Sequence, residues 1–126
     1  METKVLYLSD LKFNLEIWRR ELKFHAKEMD LFEKKLEEIA SREFSKKALV
    51  PLESFQNKIM IEQDVISKLQ HRCKAKIKSI KAADLNEEVD GRLQNDQHNL
   101  RNDMRTYTKL HRQLKEEMMD YFLEWL

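Results

Sequence analysis

In residues 11–39, LKFNLEIWRRELKFHAKEMDLFEKKLEEI, the positions Leu11, Leu15, Trp18, Leu22, His25, Met29, Phe32, Leu36 and Ile39 follow one another at alternating steps of four and three. Side chains spaced in this way line one flank of an α-helix, and the 3.5-residue repeat is the one that lets helices pack seam against seam. One histidine interrupts the apolar line. Ser9 and Asp10 offer a cap in front of it, and the pattern lapses between Ser41 and Ser45, so a first helix is predicted over residues 9–43.

The pattern resumes around Pro51, a residue tolerated only near the first turn of a helix, where its missing N–H would have no partner anyway. Leu52, Phe55, Ile59, Ile66, Leu69, Cys73, Ile77 and Ile80 then mark one face of a second helix, predicted over 48–81. Asp84 with Glu87 three residues on resembles a capping box, and Val89 and Leu93 restart the apolar line. Leu100, Met104, Tyr107, His111, Leu114, Met118, Tyr121 and Trp125 carry that line onward, which predicts a third helix over 85–125.

Two short connections between such long helices make neighbours antiparallel. The expected fold is therefore all-α, a single domain over 1–126 forming an antiparallel up-down-up three-helix bundle with coiled-coil-like packing. At about 1.5 Å of rise per residue the rod is roughly 45–60 Å long. Composition agrees: 37% of the 126 residues are charged and 41% hydrophobic, with one glycine and one proline, too few for a turn-rich β fold. The net charge of +1 gives no overall field to draw in nucleic acid or anionic lipid. Cys73 stands alone, which excludes an internal disulfide and any multi-cysteine metal motif and favours a reducing compartment. The apolar run Val5 to Leu8 is far shorter than a signal-peptide core or a membrane span, so the expected setting is cytoplasmic with no membrane partner.

Catalytic signatures are missing. Gly91 is the only glycine, so no phosphate-binding loop exists, and no serine or cysteine sits in a nucleophile motif. The chain is expected not to be an enzyme and to need no cofactor. The residues three before His25, His71, His98 and His111 are Leu22, Lys68, Asn95 and Thr108, so the Glu-x-x-His spacing of carboxylate-bridged bundles is absent and no metal site is assigned. His25 and His111 both occupy seams. Folding the chain about its two turns separates them by ten residues of helix, about 15 Å, and so places them in different sites. Each is expected to meet a glutamine of the second helix, where Gln56, Gln63 and Gln70 recur at intervals of seven: His111 near Gln56, and His25 near Gln63 or Gln70.

Lys68, Arg72, Lys74, Lys76, Lys78 and Lys81 form a basic run with no acidic residue among them. No aromatic side chain interleaves it to stack on bases, and Asp84, Glu87, Glu88, Asp90 and Asp96 follow closely enough to neutralise it, so nucleic acid is not the expected partner. A second apolar line on the first helix, Ile17, Phe24 and Leu31, lies about 130° from the main seam. Three helices do not cover such a line, and the terminal Tyr121, Phe122 and Trp125 are apolar on more than one face. These six residues are the expected contact surface for a second copy or another helical protein.

Phe55-Gln56-Asn57 followed by Ile66, together with Leu100-Arg101-Asn102-Asp103-Met104 through Leu114-Lys115-Glu116-Glu117 to Trp125, resemble small bacterial helical-bundle proteins of unassigned function. The resemblance implies a bacterial, cytosolic chain and brings no activity, cofactor or ligand with it. The leading expectation is a non-catalytic interaction or scaffold module that forms a homo-oligomer. A bundle binding metal through His and carboxylates is the first alternative, and a weak nucleic-acid binder using Lys68–Lys81 is the second.

Overall fold

The computed structural model describes residues 7–81 and 91–126, with the side chains of the last segment described from Gln97 onward. Three α-helices account for nearly all of it: α1 (Leu8–Arg42), α2 (Lys46–Lys81) and α3 (Gly91–Trp125). No strand occurs among the described residues. Each helix has 35 or 36 residues, which gives a rod of about 52 Å at 1.5 Å per residue.

Local chemistry sets the ends. The Asp10 carboxylate accepts the backbone N–H of Tyr7 at 3.2 Å, so α1 starts at Leu8, one residue ahead of the expected start, with Asp10 in its first turn. At the other end Glu43 turns extended while its N–H still reaches the carbonyl of Ile39 at 2.9 Å. Two residues later the Ser45 hydroxyl accepts the N–H of Ala48 at 3.4 Å and opens α2. Pro51 lies one turn inside α2 and costs only the bond to the exposed, first-turn carbonyl of Lys47. The stretch 85–90, expected to open the third helix, lies outside the described residues.

Side-chain pairs fix the directions. Gln63 on α2 donates to Asp30 and Glu33 on α1 at 3.4 and 3.3 Å. Lys58 meets Glu117 at 3.4 Å and Arg72 meets Asp103 at 2.6 Å, so α2 and α3 are also antiparallel. Arg42 reaches the carbonyl of Trp125 at 3.2 Å, which sets α1 and α3 parallel. The molecule is the expected up-down-up bundle.

The seams read from the sequence are the buried ones. Leu15, Leu22, Met29, Leu36 and Ile39 of α1 are closed to solvent and pack with Ile59, Ile66 and Cys73 of α2, and the α1–α2 interface dominates the packing. α3 adds Leu100, Met104, Leu114 and Met118 to the same core. Its last turns form an aromatic end layer, with Phe122 against Phe32 (centroids 5.7 Å) and Tyr121 against Phe55 (5.3 Å). The Tyr121 hydroxyl donates to the carbonyl of Ala48 at 2.8 Å.

That layer corrects one expectation. Tyr121 and Phe122 are buried and Trp125 is half-buried, so they are core and not a contact surface. Because α3 runs parallel to α1, its end lies beside the end of α1 and the start of α2, where Phe32, Ala48 and Phe55 receive it. Of the terminal residues, Leu123 and Leu126 are the exposed apolar ones.

Candidate functional site

Halfway along the rod the apolar seams give way to a polar layer drawn from all three helices. α1 supplies His25 and Glu28, α2 supplies Glu62, and α3 supplies Tyr107, His111 and Lys115. Steps of three (His25 to Glu28) and four (Tyr107 to His111 to Lys115) keep each set on one helix face. Glu62 takes the seam position between Ile59 and Ile66 and is buried together with His111.

The two imidazoles stack face to face, with centroids 3.9 Å apart and planes at 11°. The expected separation of about 15 Å is thereby corrected: His25 and His111 share one site. The expected glutamine partners are corrected with it. His111 Nδ1 lies 2.9 Å from Glu62 Oε2 and its Nε2 lies 3.4 Å from Glu28 Oε1. His25 Nδ1 lies 3.0 Å from the Tyr107 hydroxyl. Gln63 engages Asp30 and Glu33 instead, Gln56 is exposed, and Gln70 is half-buried beside an outer groove. The error lies in the register of α3. The pairs Lys58–Glu117, Glu62–His111 and Arg72–Asp103 all fold about a point near position 87, several residues beyond the point assumed from the sequence.

Glu28 and Glu62 bring two carboxylates; Lys115 donates to Glu28 Oε2 at 2.6 Å, and His111 lies between both acids. Burial lowers the pKa of His25, and the neighbouring His111 lowers it further, against weaker opposing pulls from Glu21, Glu28 and Glu62; its ring is held neutral. Burial, followed by Glu62, Glu21 and Glu28, pushes the Tyr107 phenol far above its usual range, so it stays protonated. A hydrogen bond to Glu62 contributes to that rise. His25 Nδ1 is the ring nitrogen that meets the Tyr107 hydroxyl, so Nε2 is the one left to face another ligand.

The other candidate residues lie elsewhere. Ile17, Phe24 and Leu31 are 43%, 60% and 54% exposed, and Phe13, at 62%, extends their line toward the start of α1. His71 and His98 are exposed, away from the polar layer. In the basic run Lys68 pairs with Asp64 at 2.9 Å and Arg72 with Asp103, while Lys74, Lys78 and Lys81 are exposed and Lys76 is half-buried and engaged. The proposed neutralisers Asp84, Glu87, Glu88, Asp90 and Asp96 fall outside the residues whose side chains are described. A groove of about 860 Å³ separates α1 from α3, with Asn14 and Trp18 on one wall and Arg101, Arg105, Lys109 and Arg112 on the other.

One signal for the polar layer was present in the sequence. Glu62 is the only acidic residue on the α2 seam, and a carboxylate at such a position calls for a buried partner. The two seam histidines were the available ones. No helix among the described residues is long and apolar enough to cross a membrane. No family model, no curated protein and no solved structure matches the chain.

Proposed function

We propose that the chain is a non-catalytic helical interaction module that self-associates through α1. The observation behind this reading is the exposed line Phe13, Ile17, Phe24 and Leu31. With Arg20 and Lys27 between its members, the line repeats the four-three spacing of the buried seam, so α1 carries a second coiled-coil face on its outer side. The apolar part spans 18 residue steps, about 27 Å, enough for a two-helix contact of some three heptads.

The favoured occupant is a second copy of α1 running antiparallel. Centred near residue 22, a twofold pairing sets Phe13 against the mate's Leu31 and Phe24 near the mate's Arg20, whose aliphatic stem can cover the ring. Removing four large side chains from water yields several kcal/mol at about 25 cal/mol per Å², before association costs are subtracted. Association costs of similar size oppose that gain, which fits a reversible dimer better than a permanent one. Polyanion binding through Lys68–Lys81 has less support, because Lys68 and Arg72 already engage carboxylates.

Sedimentation equilibrium over a wide concentration range tests the reading. The expected result is a reversible dimer that Phe24→Glu reduces to a monomer. A wild-type chain that stays monomeric at high micromolar concentration removes the proposal.

A further inference from the structure

The same layer that interrupts the apolar core holds the donors for an ion. One donor atom from each of His25, Glu28 and His111 lies within 4.8 Å of the others, and His111 is buried. We propose that His25, Glu28 and His111 form a binding site for one divalent transition-metal ion, in the zinc, cobalt and nickel class, that ties α3 to α1.

The nitrogen assignments support this. Each imidazole has its Nδ1 engaged by a neighbour, Tyr107 for His25 and Glu62 for His111. Such outer partners fix the tautomer and aim the ring of a metal-binding histidine. Each Nε2 is left for a ligand role. His111 Nε2 already faces Glu28 Oε1 at 3.4 Å, close to the donor-to-donor edge of a tetrahedron with bonds of about 2.0–2.1 Å. His25 Nε2 has no hydrogen-bond partner among the described residues, and its half-exposed ring gives the ion a way in.

The donor set selects the ion class. Two imidazoles and one carboxylate suit zinc and its neighbours, whereas calcium and magnesium require mostly oxygen ligands. Three protein donors leave one position of a tetrahedron for water. Two adjustments accompany binding. The stacked rings, 3.9 Å apart, must splay until both Nε2 lone pairs converge. Lys115, whose side chain is 41% exposed, keeps Glu28 Oε2 or swings outward, leaving Oε1 for the ion. Two of the donors belong to α1 and one to α3, so the ion adds a link between these helices beside the Lys115–Glu28 pair.

The experiment uses the full chain without a histidine tag. Cobalt(II) and zinc(II) chloride are titrated separately, followed by calorimetry and by the visible absorption of cobalt. The expected result is one ion per chain, with the intense visible bands of four-coordinate cobalt. His111→Ala and Glu28→Gln should each weaken binding at least 100-fold, and Glu62→Gln roughly 10-fold, in the range seen when an outer partner is lost. His71→Ala with His98→Ala should leave it unchanged. The cobalt spectrum of the unaltered chain keeps the test decisive even if a core variant does not fold. A weak spectrum like that of hexaaqua cobalt overturns the proposal, as does binding that survives His111→Ala in a folded chain or is lost with His71 and His98.

Discussion

Two layers of one core are built on opposite principles. At the end of the rod Phe32, Phe55, Tyr121 and Phe122 interlock, and the single buried hydroxyl there has a backbone carbonyl to meet it. At mid-rod His25, Glu28, Glu62, Tyr107 and His111 occupy the same kind of inward position, but their attraction must first offset the loss of hydration. The end layer contributes stability through area and shape. The middle layer is expected to contribute little net stability and instead to fix which residues lie opposite one another. Apolar seams match again after any slide of one heptad, whereas one histidine–glutamate pair matches once.

The largest expected effect lies in the end layer. Phe122→Ala removes a buried ring from an aromatic cluster and should cost about 3–5 kcal/mol, read from urea or guanidinium unfolding. A loss under about 1 kcal/mol would mean that the layer closes over the gap and is less specific than its geometry implies.

The middle layer should respond differently to single and paired changes. Glu62→Leu strands the Nδ1–H of His111 in the core and should cost roughly 3 kcal/mol. Adding His111→Leu should restore most of that loss, because an apolar pair of similar volume replaces both groups. Equal losses in the single and double variants would show that the layer is stabilising in its own right.

The smallest expected effect concerns pH. His25 has a lowered folded-state pKa, so the unfolded chain binds the proton more readily. Its contribution to stability is fully present above the ordinary histidine range near 6.5 and is lost as pH falls below that toward the folded-state value. Denaturation midpoints measured with a chelator present should therefore rise between about pH 5 and 7, and His25→Gln should flatten that rise. A midpoint that falls over the same interval would contradict the neutral ring.

The contrast also explains which parts of the structure were legible in the sequence. Leu11 to Ile39 and Leu52 to Ile80 gave helix type, inward face and approximate ends, because burial of one stripe is a local, periodic property. The outward line Ile17, Phe24 and Leu31 was legible for the same reason. The level of α3 was not, since its seam fits its neighbours equally well several residues away, and nothing periodic distinguishes the choices. The buried pairing of Glu62 with His111 distinguishes them, but it is a single long-range contact. The burial of Tyr121 and Phe122 depends on that same level of α3, which sets them beside the end of α1 and the start of α2.

The three-residue link from Glu43 to Ser45 bears on how the chain reaches this arrangement. Closing so small a loop costs little entropy, so α1 and α2 can zip together from their shared turn within the fast regime of local folding. During synthesis this hairpin leaves the ribosome before α3 does. Until α3 arrives, His25, Glu28 and Glu62 lie on an open face and keep their water. In a chain that folds in this order, dehydration of the charged layer would wait for α3, whose Tyr107, His111 and Lys115 replace the lost solvent. A misaligned α3 would bury the carboxylates without their partners, a cost that disfavours the registers the apolar seams leave open.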